Sequence, residues 1–329
     1  MRICFGRLPM NKKTRVVIVG TIPSTAGVGG VTIHVSRLLK ALKDSDFEPV
    51  LCDYKRLPFL SQIKLLRQSK LAHLHVSNPY GRLLYVLLCR VMGIKSMLTI
   101  HGNLRRYGLI KNAVNDMAIR WCNVPILIND TSFRQALRLN DAARRMSAYI
   151  PLRDMEVLPE SMETIIRVQR EAGRSIVCTN ASGFVYDVNG NDIYGIAFLI
   201  DYFNQHKEYF LLISDPSSQY SASYKETLPE NIVIISQPHS FVPVLRRADI
   251  MIRATSTDGD SISVREALDA GIRVLATDCV DRPDGVILFS YSDKKSLDNA
   301  LQERNLNNSP YKHSDTIADL CNVYGSLSK

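Results

Sequence analysis

Residues 239–278 read HSFVPVLRRADIMIRATSTDGDSISVREALDAGIRVLATD. Two short apolar runs, 249–253 (DIMIR) and 272–276 (IRVLA), flank a polar turn and a helical pattern. That is the strand, helix, strand unit of a parallel sheet covered by helices. The middle of the stretch, 256–268 (STDGDSISVREAL), sets Asp258 and Glu266 eight residues apart around a Gly-Asp-Ser turn. Two readings are open. In one, Ser263 and Glu266 form a capping box at a helix start, and Asp258 and Asp260 beside Gly259 build a tight turn. In the other, both carboxylates follow the carboxyl end of a strand, where open α/β sheets bind ligands.

Outward from this stretch the alternation continues in both directions. Apolar, β-branched runs predict strands at 16–20, 49–53, 71–76, 96–100 and 124–128, and again at 175–180, 209–214, 231–236, 249–253, 272–276 and 285–289, with helical patterns between them. The stretch 151–174 (PLRDMEVLPESMETIIRVQREAGR) interrupts the pattern with prolines and charges. At 329 residues and 46% hydrophobic content the chain exceeds what one core usually supports. The expected organisation is therefore two doubly wound, Rossmann-like α/β domains, 1–155 and 175–329, joined by a linker at 156–174.

Charge divides along the same line. Residues 1–150 carry 24 Lys and Arg against 7 Asp and Glu, whereas 151–329 carry 17 against 25. The first domain thus faces something anionic, a lipid surface or nucleic acid; no recognised RNA- or DNA-binding motif accompanies the charge, so no nucleic-acid partner is expected. Basic residues are interleaved with apolar ones at 55–70 (KRLPFLSQIKLLRQSK) and 104–121 (LRRYGLIKNAVNDMAIRW), a composition suited either to lying on an anionic membrane or to ordinary solvated helices. Lys64, Arg67, Arg105, Arg106 and Lys111 are the cations of that candidate face. Seven cysteines, at 4, 52, 89, 122, 178, 279 and 321, show no C-x-x-C spacing, which fits neither a disulfide framework nor a zinc site and suits a reducing cytoplasm. The longest apolar run, 83–89, lies between Arg82 and Arg90 and is too short to span a bilayer. Residues 1–13 (MRICFGRLPMNKK) lack the apolar core of a signal peptide and read as a loose tail.

Ligand-facing positions follow the strands. After the first comes TIPSTAGVGGVTIHVSRLLKAL at 21–42, a glycine-rich loop opening a helix, where backbone amides can approach a phosphate or a sugar hydroxyl. Gly27-Val28-Gly29 with Asp53 on the second strand resembles a dinucleotide fingerprint, but Thr32 stands where the third glycine belongs. No G-K-[ST] is present, which excludes a P-loop. The fourth strand runs into His101-Gly102-Asn103, a histidine placed either to meet a ligand or to be satisfied within the core. His73 and His75 share one face of the third strand and read as structural, since metal sites usually need more ligands. DVNGND at 187–192 fails the EF-hand pattern, with Asp192 at the glycine position and Phe198 at position twelve.

Three segments together, GGVTIHVSRLLKAL at 29–42, LTIHGN at 98–103 and the opening stretch at 239–278, resemble retaining glycosyltransferases of the GT-B fold, glycosyltransferase family 4, of the bacterial polysaccharide, O-antigen or capsule type. The resemblance covers nearly the whole chain. It implies two domains facing a central cleft, the first binding the acceptor and the second the nucleotide-sugar donor. Asp258 and Glu266 match the two carboxylates of the family's E-x7-E motif. By that likeness Glu266 holds the ribose, Asp258 and His101 act at the donor sugar, and Gly29 and Gly30 line the cleft. Amides at Ser261, Ile262 and Ser263 would hold the diphosphate, without a metal ion or other cofactor. The sequence departs from the family in two places. The first motif carboxylate is the shorter aspartate, and the family's Arg and Lys pair for the diphosphate has no match in 180–195, where Tyr194-Gly195 stands in place of Lys-Gly. Arg253, Arg265 and Arg282 are candidate substitutes. The expected activity is transfer of a hexose, with retention, to a lipid-linked glycan in polysaccharide biosynthesis, by a protein held peripherally at the cytoplasmic face of the cell membrane. A nucleotide-sugar epimerase and an inactive nucleotide-sugar-binding homologue are the alternatives.

Overall fold

Strands of a parallel sheet are buried on both faces, so they form from continuous apolar runs and not from alternating ones. Twelve strands occur among the described residues of the computed structural model, which are 13–23, 29–152, 157–187, 189–224, 228–236, 239–303 and 315–328, and all but the short sixth are built on such runs. The tail at 1–12 and Gly27-Val28 of the glycine-rich loop lie outside them. The first sheet contains β1 (Thr14–Gly20), β2 (Phe47–Asp53), β3 (Leu71–Leu74), β4 (Lys95–Ile100), β5 (Val124–Leu127) and β6 (Arg144–Arg145), in the order β2-β1-β3-β4-β5-β6. The second contains β7 (Ser175–Asn180), β8 (Tyr209–Ser214), β9 (Ile232–Ile235), β10 (Ile250–Arg253), β11 (Arg273–Thr277) and β12 (Val286–Phe289), in the order β12-β11-β10-β7-β8-β9. Every paired neighbour is parallel. The eleven strands expected from sequence are all present, and β6 is a two-residue addition.

Helices cover both faces of each sheet. On the first, α1 (Gly30–Leu42) packs on one side, while α2 (Phe59–Leu66), α3 (Pro79–Val91), α4 (Leu109–Trp121) and α5 (Asp130–Leu137) share a single layer on the other. Local chemistry fixes several starts. Asn78 caps α3 by accepting from the Tyr80 amide with Pro79 at the first helical position, and Asn129 caps α5 by accepting from Ser132. On the second sheet α6 (Glu160–Glu171), α9 (Val242–Leu245) and α10 (Ile262–Asp269) lie on one face; α7 (Ile196–Gln205), α8 (Gln219–Tyr224) and α11 (Lys294–Gln302) lie on the other.

Two boundaries differ from those read off the sequence. The stretch expected as linker contains α6, whose Ile166 is buried with Ile176 and Phe210 in the second core. Its prolines sit before the helix, with Pro159 as the N-cap residue, and do not break it. The last helix, α12 (Thr316–Ser328), leaves the second domain and packs on the first sheet beside α1, where Leu320 and Tyr324 join Val16, Ile18 and Phe47. Tyr324 is fully buried; its hydroxyl meets His73 Nδ1 at 2.6 Å, and its ring meets Phe47 edge to face. No helix among the described residues is long and apolar enough to cross a membrane.

Candidate functional site

Numbered from its own first strand, the second sheet has the order 3-2-1-4-5-6, so its switch point lies between β7 and β10. The residues that end those strands, Asn180 and Arg253, meet there: Arg253 Nη1 donates to the Asn180 carbonyl at 3.2 Å and to its side-chain oxygen at 3.3 Å. The first sheet has its switch point between β1 and β3. A cavity of about 480 Å³ separates the two ends. Gly29, Gly30, Arg37 and His101 line it from the first domain; Tyr194, Arg253, residues 258–263 and Glu266 line it from the second.

Asp258 is the centre of charge on the second wall. It accepts from Arg253 Nε at 3.0 Å, from Arg282 Nη1 at 2.8 Å and from the Gly259 amide at 3.0 Å. Burial alone would raise its pKa, but the guanidiniums of Arg253 and Arg282 outweigh that cost and hold the carboxyl down at about 2. Arg253 also lies over the Tyr194 ring, 5.1 Å from its centroid. Of the three candidate cations, Arg253 therefore reaches the cavity, Arg282 stands behind Asp258, and Arg265 is turned to Asp260 at 2.5 Å.

Glu266 reaches the cavity, and its partner there is a residue that no sequence motif singles out. The Arg37 guanidinium of α1 donates to its carboxylate across the cleft, with both side chains buried. Burial pushes the Glu266 carboxyl up, and Arg37 opposes that shift. The capping-box reading fails: the N-cap residue is Ser261, the Ser263 hydroxyl meets the Ser261 hydroxyl at 3.1 Å, and Glu266 lies a full turn into α10. Asp260 is more than a turn former. Its Oδ2 accepts from the Ser147 hydroxyl at 3.0 Å and the Ala148 amide at 3.1 Å, and Tyr149 Oη donates to Asp269 at 2.8 Å. Three side chains on or beside α10, Asp260, Glu266 and Asp269, are thus fastened to the first domain.

The helix start that carries the family's Lys-Gly is closed in this chain. Asp192 accepts from the Tyr194 amide at 3.1 Å and the Ile196 amide at 2.8 Å, filling the amide-rich start of α7 with the protein's own carboxylate. Gly195 has φ +62, and a Cβ there would lie 2.2 Å from the Ala254 carbonyl oxygen, so no other residue fits. The start of α10 remains for an anion: the first amides of a helix have no intrahelical acceptor, and Ser261 supplies no side-chain cap.

On the first wall, His101 lies at the end of β4 with its Nε2 at 2.9 Å from His75 Nδ1. His34 of α1 sits beside both, its Nδ1 on the Ala148 carbonyl at 2.7 Å. Burial keeps these rings neutral: the pKa of His34 falls to about 4, and those of His75 and His101 fall well below the ordinary value. Asp53 does not line the cavity. It accepts from the Lys55 amide at 3.1 Å at the edge of the sheet, which leaves the dinucleotide reading without its ribose ligand. Lys64, Arg67, Arg105, Arg106 and Lys111 are exposed and also lie off the cavity, with Arg105 paired to Asp116 at 2.6 Å.

Solved structures share this architecture. HepE from Anabaena in complex with UDP superposes with a TM-score of 0.69 at 11% identity, over 96% of this chain and 100% of that one. Sucrose-phosphate synthase from Thermosynechococcus elongatus gives 0.69 at 14%, over 96% and 99%. UDP-GlcNAc 2-epimerase from Methanocaldococcus jannaschii gives 0.60 at 10%, over 95% of this chain and 99% of that one. The chain has the GT-B fold, two Rossmann-like domains around a cleft. No family model and no curated protein matches it in sequence.

The Arg37 and Glu266 pair is open to direct measurement by urea unfolding. Arg37→Met leaves a buried carboxylate without its counter-charge and is expected to cost about 3–5 kcal/mol, while the Arg37→Met/Glu266→Met double variant recovers most of that loss. Single losses that simply add would show that the two groups do not interact.

Proposed function

We propose that the protein is a retaining hexosyltransferase resembling glycosyltransferase family 4, with a nucleotide-diphosphate sugar as donor and a lipid-linked glycan as acceptor in polysaccharide assembly. One observation carries the reading: a single interdomain cavity brings the α10 start, Arg253 and Glu266 opposite Gly29, Gly30 and His101. Structures of the same fold were solved with UDP and with UDP-glucose, which supports a nucleotide-sugar donor. The amides of Ser261, Ile262 and Ser263 hold the diphosphate, with Arg253 as the cation that the closed α7 start no longer provides. Glu266 meets the ribose with the carboxylate that Arg37 orients. Asp258 acts on the donor sugar through Arg253 as well as by its own position. The acceptor oxygen bonds to the anomeric carbon on the face from which the diphosphate leaves; the bond from that carbon to phosphate breaks, and the acceptor proton passes to a phosphate oxygen. No metal ion is needed for that route.

His101→Ala is expected to lower turnover about 100-fold while leaving affinity for the free nucleoside diphosphate nearly unchanged, because that ligand lacks the sugar. Arg253→Met is expected to weaken both. Release of an epimerised nucleotide sugar without acceptor would favour the epimerase reading, and donor bound without turnover the inactive one.

The acceptor side includes a membrane face. The outward sides of α2, α3 and α4 belong to one layer, and they expose Leu60 at 79%, Val91 at 85%, Leu109 at 90% and Ile110 at 74% together with Lys64, Arg67 and Lys111. Ordinary solvated helices turn such residues inward; here they point to solvent beside cations, as on an interfacial surface. The protein then works at the cytoplasmic face of the cell membrane. It is expected to sediment with vesicles containing anionic lipid and to be released as salt shortens the Debye length. Replacing Lys64, Arg67, Arg105, Arg106 and Lys111 by Gln should abolish sedimentation and spare donor binding; binding indifferent to salt would contradict this.

A further inference from the structure

Four histidines gather at the switch point of the first sheet, and they are not equivalent. His73 is saturated, with Nδ1 on Tyr324 Oη at 2.6 Å and Nε2 on Thr99 Oγ1 at 2.7 Å. His34 and His75 each keep a buried Nε2 with no hydrogen-bond partner among the described residues, although the two side chains are only 2% and 1% exposed. An orphaned buried polar atom is costly unless something fills it. On His34 the Ala148 carbonyl accepts from Nδ1–H, which fixes the tautomer and leaves Nε2 as a bare lone pair. That is how protein scaffolds present an imidazole to a metal ion.

The spacing agrees. One ring nitrogen from each of His34, His75 and His101 lies within 4.8 Å of one from each of the others. With metal–nitrogen bonds of about 2.0–2.1 Å and tetrahedral angles, three imidazoles on one ion have ring centroids about 5.2 Å apart. The three centroid separations are 5.1 Å for His34 and His75, 4.9 Å for His34 and His101, and 5.2 Å for His75 and His101. The groups facing the cluster include Asp260, whose charge favours a cation near His34, and Arg37 and Arg82, whose charges oppose one.

We propose that His34, His75 and His101 form a three-imidazole site for a divalent transition-metal ion of the zinc type, at the base of the cleft. Imidazole suits zinc, copper, nickel and iron and discriminates against magnesium and calcium. Of the three rings His101 lines the cavity, so the ion is reached from the cleft. The ion replaces the His75 to His101 hydrogen bond and occupies both orphaned nitrogens' surroundings. It lies on the acceptor wall and is distinct from the α10 amides and Arg253 that take the diphosphate. The sequence grouped His73 with His75 as structural; the geometry separates them, because only His75 has a free nitrogen. The site goes beyond the transfer reading and shares His101 with it, while its readout, metal content, does not depend on transfer.

Protein stripped with chelator is titrated with Zn²⁺ and with Co²⁺ as a spectroscopic stand-in. One equivalent is expected to bind, with the visible absorption of four-coordinate Co²⁺. His34→Gln and His75→Gln should each weaken binding at least tenfold, while His206→Gln, remote from the cluster, should leave it unchanged. Because a buried variant can misfold, X-ray absorption on zinc-loaded wild type gives a second reading that needs no substitution: about three imidazole nitrogens at about 2.0–2.1 Å are expected. No bound equivalent, one or no imidazole in the first shell, or affinity unchanged in folded His34→Gln and His75→Gln overturns the proposal.

Discussion

The Arg37 guanidinium on α1 and the Glu266 carboxylate on α10 meet between the two sheets, where both are buried. Removing two charges from water costs several kcal/mol each, and their attraction offsets that cost only when the geometry is held. The surroundings hold it. Arg37 Nη1 also donates to the Ile150 carbonyl at 3.1 Å, Asp260 accepts from Ser147 and Ala148, and Tyr149 bonds Asp269. The first ties α1 to the segment 147–150, and the others tie both ends of α10 to that same segment. The width of the cleft, and with it the distance between its two walls, follows from this set of contacts. A nucleotide that engaged Glu266 would share the carboxylate with Arg37, so in the proposed reading nucleotide binding and domain apposition act on one group.

The second wall shows how a GT-B site redistributes charge. Where the family resemblance calls for cations at the start of α7, Asp192 already satisfies the amides there, and Tyr194 packs its ring under Arg253. The positive potential moves to the end of β10. Asp258 anchors it by binding Arg253 and Arg282 together, and its low pKa records how strongly the pair of guanidiniums outweighs burial. An aspartate in place of the family's glutamate suits that task, since the shorter side chain keeps the carboxylate back against the β10 end and leaves Arg253 toward the cavity.

Much of this was legible in the sequence because it is local. Every strand expected from an apolar run is a strand, and Asp258, His101, Gly29, Gly30 and residues 261–263 do converge on the cavity. What the sequence could not convey depends on long-range packing. Arg37 reads as the polar side of an amphipathic helix; that it lies buried against a residue 229 positions away is a property of domain apposition. Its place one turn from His34 and from Ala41, at the margin of the buried face of α1, was the available signal. The α12 return to the first sheet and the folding of α6 onto the second are likewise decided by which apolar face finds cover, and a break in alternation says nothing about that. His75 differs from His73 only through Tyr324 and Thr99, which no spacing rule brings together.

In the proposed reading the cavity is a nucleotide-sugar donor site built on α10 and Arg253. A panel of nucleoside diphosphates and their sugars, read by the midpoint of thermal unfolding, tests it most directly, because a ligand that binds only the folded form stabilises it by about 2.7 kcal/mol at one hundred times its dissociation constant. At least one nucleoside diphosphate and its sugar are expected to raise the midpoint of the wild type, and Glu266→Gln or Arg253→Met to remove most of the shift. A panel in which no nucleotide raises the midpoint, or in which the shift survives both substitutions, would contradict it.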